Sequence, residues 1–255
     1  MKRLLNNLYV TSDKTYLSKQ GEAILAKVDG ARKLRVPIHG LQGIICFGGV
    51  AVSPDLMGFC SRNGVGVSFL SHSGRFLCRV QGPVSGNVLL RMAQYRFADD
   101  PVYSTPIAKS FIIGKIANTQ AVLSRALRQG KGSSLALKAL ADAVKRLSAS
   151  LAALRRIDAD AASIRGLEGE VARVYFGVFG SLILKGGFSF SKRSRRPPLD
   201  PVNALLSFLY TLLRQDVASA LEGVGLDPQV GFLHAVRPGR PSLALDLMEE
   251  FRAYV

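Results

Sequence analysis

The residues with the clearest potential for chemistry are three acids near the end of the chain, Asp246, Glu249 and Glu250. On a helix they occupy positions i, i+3 and i+4, so their carboxylates share one face. Like charges on one face repel each other unless a cation neutralises them. The apolar residues around these three acids also favour burial of at least one of them. Oxygen ligands combined with one imidazole suit Mg²⁺ or Mn²⁺ better than a structural zinc. Because His234 precedes these acids closely in sequence, the four residues form a candidate divalent-metal site.

Both parts of this candidate site have a simpler explanation. If the acids formed a solvated face at a helix N-terminus, the helix dipole alone would favour Asp246. A histidine beside apolar residues, as His234 is, is more often a core side chain with satisfied hydrogen bonds than a metal ligand. Spacing alone leaves these alternatives open.

A fourth acid, Glu168, lies between Gly166 and Gly169 in a stretch with a helical pattern. Glycine inside a helix costs up to about 1 kcal/mol relative to alanine, so these glycines indicate that little side chain is wanted beside the carboxylate. One explanation is a ligand or a phosphate backbone that approaches closely. The other is helix–helix packing across small residues, and the spacing favours neither.

A strongly basic segment runs from Lys185 to Arg196, with five Lys or Arg in twelve residues and Phe188 and Phe190 between them. Such like charges repel one another without an anionic partner, and a glycine- and serine-rich loop of this kind can wrap the phosphates of nucleic acid. A rigid basic turn follows later, around Arg237. The candidate DNA-binding residues are Lys192, Arg193, Arg195, Arg196, Arg237 and Arg240. The alternative for both segments is a solvated surface.

The composition also favours a nucleic-acid partner. The 255 residues carry 34 Lys and Arg against 18 Asp and Glu, a net charge of +16, and 48% hydrophobic residues provide for a core. Three cysteines without a close-spaced pair argue against a disulfide framework or a cysteine zinc site and favour a reducing compartment. The sequence has no run of about 18 apolar residues that would span a bilayer. We therefore expect a cytoplasmic protein with no membrane span; a generic basic protein is the alternative.

The hydrophobic pattern predicts an α+β fold of two domains that meet near residue 85. Residues 1–85 contain short β-branched and aromatic stretches, typical of a β-rich, β-sandwich-like domain, with one helix between Ser53 and Asn63. Residues 82–86 predict a linker. Apolar residues then recur at helical spacing, so residues 86–255 should form a larger all-helical domain. The predicted strands are 8–10, 23–25, 35–38, 43–47, 65–70 and 76–80, and the later predicted helices are 87–97, 104–129, 135–157, 161–179, 201–221 and 243–255.

Several motifs, in this order along the chain, resemble one known family. They are Gly166-Leu167-Glu168-Gly169 with Ala172 and Tyr175-Phe176, Arg196-Pro197-Pro198-Leu199-Asp200-Pro201, Gly225-Leu226-Asp227-Pro228, Gly231-Phe232-Leu233-His234 and the run from Gly239 to Arg252. Lys115-Ile116-Ala117-Asn118 fits the same family. Over essentially its whole length the sequence resembles the CRISPR-associated integrase that inserts new spacers, in a form similar to subtype I-C.

The resemblance implies an N-terminal dimerisation domain and a helical nuclease and integrase domain, in a cytoplasmic homodimer of prokaryotic antiviral defense. It implies an endonuclease, formally a hydrolase, that also joins 3′ ends of short double-stranded DNA to the repeat array, on substrates that are branched or carry 3′ overhangs. The partner implied is a small ferredoxin-like CRISPR-associated adaptation protein. By motif, the ligands for Mg²⁺ or Mn²⁺ are Glu168, His234 and Glu249, and Asp246 supports them. Because the family often has aspartate where Glu249 stands, Glu250 remains an alternative ligand.

One departure from the family concerns length. The family usually continues for several tens of residues after its last acidic motif, whereas this chain ends at Val255. The resemblance therefore predicts that the family's last helices are missing here. It leaves a non-catalytic DNA-binding or scaffolding protein as the alternative function.

Overall fold

The computed structural model of the chain describes residues 7–82, 87–156 and 160–255. Contacts divide the chain into two compact units, Met1–Gly86 and Asn87–Val255, which we describe separately. The first unit is β-rich and the second is larger and helical, so the predicted fold class is confirmed. The predicted linker over residues 82–86 lies mostly outside the described residues.

The β-rich unit contains, over residues 7–82, two four-stranded sheets and one α-helix. Its elements are β1 (Asn7–Val10), β2 (Thr15–Gln20), β3 (Ala23–Val28), β4 (Ala31–Pro37), β5 (Gly43–Phe47), β6 (Ala51–Val52), α1 (Pro54–Arg62), β7 (Gly66–Leu70) and β8 (Phe76–Val80). One sheet has the order β1-β5-β7-β8, parallel except for β8 against β7. The other has the order β4-β3-β2-β6, antiparallel except for β6 against β2.

The helix of this unit forms where the sequence predicts it. Ser53 is its N-cap, with the side-chain oxygen accepting from the N–H of Leu56, and Pro54 occupies the first helical position. Leu56, Phe59 and Cys60 of α1 are buried in one core together with strand residues of both sheets. The apolar stretches of the sequence thus supply the core that holds the sheets together.

Two strands were not predicted, β2 and β6. In β2 only Thr15 and Leu17 are buried, and polar or exposed residues stand between and after them. The strand forms because a hairpin turn with Gly21 at φ +60° pairs it residue by residue with the more apolar β3. Pairing with a partner strand, which local composition does not reveal, decides its structure.

The helical unit has six α-helices in its described part. They are α2 (Val88–Asp99), α3 (Pro101–Gln129), α4 (Ser134–Arg156), α5 (Ala161–Val178), α6 (Pro201–Gly223) and α7 (Ser242–Phe251). Side chains of Asn87, Asp100, Asp160 and Asp200 accept backbone N–H groups at the starts of α2, α3, α5 and α6. Gly130, at φ +64°, ends α3 in a left-handed cap. None of the helices in the described ranges is long and apolar enough to cross a membrane.

Helix α3 is the centre of this unit and packs against α2, α4, α5 and α7. Its buried stripe consists of Ala108, Ile112, Lys115, Ile116, Thr119 and Leu123, at helical spacings of three and four. Helix α7 packs against both α3 and α6. The irregular segment before α6 carries the basic residues from Lys185 to Arg196. The irregular segment between α6 and α7 carries His234, Arg237 and Arg240.

Candidate active site

A cavity of about 120 Å³ in the helical unit brings together side chains from four helices, from two irregular segments and from the turn after α7. Glu168 of α5, His234 of the segment between α6 and α7, and Glu249 of α7 all line it. The other lining residues are Lys115, Thr119, Ala172, Tyr175, Phe176, Arg195, Tyr210, Arg252 and Ala253. Two carboxylates, one imidazole and three cationic side chains therefore share one concave site.

Lys115 lies between the two glutamates. Its Nζ is 2.7 Å from Oε2 of Glu249 and forms a second ion pair with Oε1 of Glu168. Arg252 adds a cation from the other side, with Nε 2.8 Å from Oε1 of Glu249. The side chains of Lys115 and Glu249 are only 7% and 3% exposed, and buried charges are stable only when they are paired. The four charges balance to zero.

Asp246 is wholly buried and holds the segment that contains His234. Its Oδ2 accepts from the N–H groups of Phe232 at 2.6 Å and Leu233 at 2.9 Å, and its Oδ1 accepts from the N–H of His234 at 2.9 Å. Its Oδ1 also lies 2.7 Å from Nδ1 of the His234 ring. With Nδ1 engaged, Nε2 is the ring nitrogen left for a ligand. A carboxylate that orients a histidine in this way is a common companion of metal-bound imidazole.

The close approach of this segment to α7 requires glycine at position 231. A Cβ on Gly231 would lie 2.6 Å from Oδ2 of Asp246 and 2.7 Å from the backbone carbon of Ser242. Because those atoms are a buried carboxylate and backbone, they have little freedom to move. Gly231 therefore allows the backbone amides to reach Asp246.

The C-terminal half of α7 is held against α3 by hydrogen bonds and close packing. Asn118 donates from Nδ2 to the carbonyl of Glu250 at 2.8 Å and accepts from the hydroxyl of Tyr254 at 3.2 Å. A Cβ on Gly114 would lie 2.7 Å from the carboxyl carbon of Glu250, so α3 and this side chain are in close contact. These contacts fix the helix that presents Glu249.

Comparison with known proteins decides the family. The model of the family described as CRISPR associated protein Cas1 matches residues 8–255. The chain belongs to the Cas1 family. It is 55% identical over 256 residues to the CRISPR-associated endonuclease Cas1 2 of Rhodospirillum rubrum, covering 99% of this chain and 74% of that protein.

Two solved structures have a similar fold. A casposase bound to integration product has a TM-score of 0.78 and 25% identity, covering 98% of this chain and 70% of that chain. A Cas6-RT-Cas1–Cas2 complex has a TM-score of 0.73 and 24% identity, covering 99% of this chain and 27% of that chain. The resemblance to the Cas1 family seen in the sequence motifs is thus confirmed, whereas the similarity to subtype I-C stays a prediction.

The structure separates the two neighbouring glutamates of the Cas1 motif in α7. Glu249 lines the cavity beside Glu168 and His234, whereas Glu250 packs against α3 at Gly114 and is not among the lining residues. Burial raises the pKa of the Glu250 carboxyl. Of the two candidate ligands left open by the sequence, Glu249 is the one that faces the other site residues.

Within the described part of the chain, the glycines beside Glu168 do not pack against another helix. A Cβ built on Gly166 or Gly169 would have no neighbour within 4 Å among the described residues. Packing across small residues, one of the two explanations for this pair, is therefore wrong. The open surface beside Glu168 leaves room for a ligand.

The six predicted DNA-binding residues differ in their surroundings. Arg195 lines the cavity, and Lys192, Arg196 and Arg237 are exposed, with Arg240 half-buried. Arg193 is different, because its guanidinium donates to Oδ1 of Asn203 at 2.8 Å and to the hydroxyl of Ser207 at 3.1 Å. Arg193 therefore connects the basic loop to α6 through these hydrogen bonds.

Two tyrosines form a buried wall of the cavity, Tyr175 and Tyr210. Burial raises the pKa of both phenols, although Arg252 and Arg193 beside Tyr210 act in the opposite direction. The guanidinium carbons of Arg252 and Arg193 lie 5.2 and 5.6 Å from the centre of the Tyr210 ring, within cation–π range. Both tyrosines therefore stay protonated and pack as rings.

The donors in the cavity suit a divalent ion in kind. Two carboxylates and one imidazole are ligands that Mg²⁺ or Mn²⁺ accepts. The buried Oε2 of Glu249 is close to the Lys115 ammonium, but it accepts no well-aligned hydrogen bond from the described residues. This oxygen therefore has a lone pair that could bind an ion. Across residues 7–82, 87–156 and 160–255, however, no three His, Cys, Asp or Glu side chains are grouped closely enough to hold a metal ion. Lys115 occupies the space between the two glutamates.

Sequence reasoning missed Lys115 and Arg252 as members of the site. A signal for Lys115 was present, because it falls on the mainly apolar stripe of α3, three residues after Ile112 and four before Thr119. A lysine at a core position of a helix requires a buried anionic partner. Arg252 follows Glu249 at i+3, the spacing of a helical ion pair.

Proposed function

We propose that the chain is a divalent-metal-dependent DNA endonuclease and integrase of CRISPR adaptation, acting by phosphoryl transfer at Mg²⁺ or Mn²⁺. The single observation that carries the proposal is that Glu168, His234 and Glu249 line one cavity although they come from three separate segments of the chain. Membership of the Cas1 family supports it, as do the endonuclease name of the Rhodospirillum rubrum relative and the integration product of the casposase.

Each residue of the cavity has a part in this chemistry. Glu168, Glu249 and Nε2 of His234 would hold the ion, with His234 oriented by Asp246. An ion held there would supply Lewis-acid chemistry, that is, polarisation of the scissile phosphate and neutralisation of its developing charge. Arg195, on the cavity wall, binds a DNA phosphate near the reacting one. The attacking group is a DNA 3′-hydroxyl in integration or water in cleavage, so no side-chain nucleophile is needed.

The remaining basic residues hold DNA outside the cavity. Lys192, Arg196, Arg237 and Arg240 are at least partly exposed, and the net charge of +16 favours a polyanion. In line with the family, we propose a homodimer that acts on double-stranded DNA, branched or with 3′ overhangs. A small ferredoxin-like adaptation protein is the proposed partner, and the Cas1–Cas2 composition of the similar complex supports an assembly of this kind.

A second candidate is a DNA-binding or scaffolding protein without catalysis. The observation that favours it is the ion pairing of both glutamates with Lys115, where a metal ion would otherwise be held. One assay separates the candidates: branched DNA is incubated with the protein and Mn²⁺ or Mg²⁺, with EDTA as the control. Metal-dependent cutting and joining of ends supports the integrase, and cutting without joining indicates a nuclease alone. DNA binding with neither reaction would overturn the catalytic proposal.

A further inference from the structure

Lys115 is a buried cation whose position needs an explanation. It stands on the buried stripe of α3, and its ammonium pairs with Glu168 and Glu249 at once. Taking an ammonium out of water costs several kcal/mol unless its partners are close and anionic. Its two partners are the same carboxylates that we assign to the metal ion.

The charge balance of the cavity shows what Lys115 does for the protein without an ion. Glu168 and Glu249 contribute two negative charges, and Lys115 and Arg252 contribute two positive ones. Without Lys115, both carboxylates would lose the ammonium that pairs with them, and Arg252 would remain as the ion-pair partner of Glu249, which is 3% exposed. Like charges at such sites repel strongly because solvent does not screen them.

The same arrangement opposes a divalent ion. An ion that binds both glutamates must take lone pairs that now face the Lys115 ammonium, and two cations cannot share them without repulsion. The flexible four-carbon stem of lysine allows the ammonium to move. The free energy of ion binding is therefore reduced by the cost of displacing the Lys115 ammonium from the two glutamates.

We propose that Lys115 is a built-in counter-cation that holds the metal site closed in the free protein and competes with the divalent ion for Glu168 and Glu249. This inference rests on the proposed function, since it assumes that these glutamates are the metal ligands. It makes the free protein stable without metal and makes its affinity for metal low. Removing the ammonium should reverse both properties.

The test is direct binding of Mn²⁺ to the whole chain, without DNA, by isothermal titration calorimetry and by electron paramagnetic resonance. Lys115→Met and Lys115→Gln should bind Mn²⁺ at least tenfold more tightly than the wild type. The matched control is Lys138→Met on α4, an exposed lysine outside the cavity, which should bind Mn²⁺ as the wild type does. Unchanged or weaker affinity in both Lys115 variants would overturn the inference.

Thermal unfolding provides a second measurement that does not depend on tight binding. In EDTA the Lys115 variants should melt below the wild type, and saturating Mn²⁺ should raise their melting temperature more than it raises that of the wild type. A variant that folds only when Mn²⁺ is present supports competition for the same carboxylates. A variant that gains no more from Mn²⁺ than the wild type, or stays unfolded with it, contradicts the inference.

A third variant separates this inference from the proposed function. In Glu168→Gln the metal site loses a ligand, so Mn²⁺ binding should fall in the wild-type background and in Lys115→Met alike. If Glu168→Gln leaves Mn²⁺ binding unchanged, the ion is held elsewhere and the proposed metal site fails. If Glu168→Gln abolishes binding while Lys115→Met has no effect, only the competing role of Lys115 fails.

Discussion

The buried carboxylate of Asp246 pairs with the partly exposed imidazole of His234, with Oδ1 2.7 Å from Nδ1, and also accepts three backbone N–H groups of the segment that carries the histidine. Both oxygens of Asp246 are therefore engaged. In the proposed function this acid acts on the site through His234 and is a positioning residue. The open ring nitrogen of His234, with Glu168 and Glu249, would provide the ligands of the proposed ion.

Replacing Asp246 by asparagine should affect both stability and metal use. An amide retains one acceptor oxygen but turns an NH₂ group toward backbone donors, so we expect a loss of about 1.5–3 kcal/mol in the free energy of unfolding, as for hydrogen bonds to a charged group. Activity or metal affinity should fall about 10- to 100-fold, as for other residues that orient a metal-bound histidine. Urea unfolding and a Mn²⁺ titration of cleavage measure the two effects.

Ser242→Ala is the control for Asp246→Asn. The Ser242 hydroxyl donates to the carbonyl of Ala235 at 3.0 Å, so this variant loses a hydrogen bond on the same segment without touching Asp246. We expect it to cost about 1 kcal/mol and to leave the Mn²⁺ dependence unchanged. If both variants shift the Mn²⁺ dependence of cleavage equally, the shift in Asp246→Asn comes from destabilisation of the segment and not from loss of the contact with His234.

Removal of a proposed ligand should abolish the reaction but not the binding of DNA. Glu168→Ala and His234→Ala should each reduce Mn²⁺-dependent cutting and joining of branched DNA by more than about 100-fold, because removing a ligand should cost at least as much as removing a residue that orients one. Affinity for DNA in EDTA should change little, since exposed Lys and Arg supply it. Glu170→Ala is the matched control on α5: this carboxylate is 45% exposed and pairs with Arg146. Full activity in either ligand variant would remove that residue from the site.

Gly231 tests whether the close contact between its segment and α7 is needed. In Gly231→Ala the added methyl meets Asp246 and the backbone of Ser242, and overpacking of this kind costs about 1–3 kcal/mol. We expect the free energy of unfolding to fall by that amount and the Mn²⁺ needed for half-maximal activity to rise. Wild-type stability and metal dependence in Gly231→Ala would show that the segment can move aside without consequence.

Arg193 and Arg195, two of the three arginines of the basic loop, should behave differently. Arg195→Ala should weaken DNA binding and reduce the dependence of log K on log salt by about 0.9, the slope lost with one phosphate contact. Arg193→Ala should instead lower stability, because its partners Asn203 and Ser207 lose a guanidinium donor. Fluorescence anisotropy at several salt concentrations and urea unfolding distinguish the two. If Arg193→Ala changes the salt slope and leaves stability intact, Arg193 belongs to the DNA surface.

The sequence predicted the helices well because strong local signals mark them. Ser53 and Pro54 start α1 and Gly130 ends α3, where capping chemistry is local. It did not predict β2, whose pairing with β3 is a matter of tertiary contact. The same distinction holds for the site. Motifs indicated Glu168, His234 and Glu249, but the packing of α3 against both α5 and α7 is what brings Lys115 between two of them.

The glycines beside Glu168 allow a last test of how DNA approaches the site. Gly169 and Gly177 both lie in α5 where an added methyl group would meet open space, so alanine at either position should stabilise the helix by up to about 1 kcal/mol. Only Gly169 adjoins Glu168, and a methyl group there would stand where we expect the DNA backbone. Gly169→Ala should therefore raise the melting temperature as Gly177→Ala does, yet lower the rate of DNA cleavage, while Gly177→Ala keeps the wild-type rate. Equal rates in the two variants would mean that DNA does not approach along this face of α5.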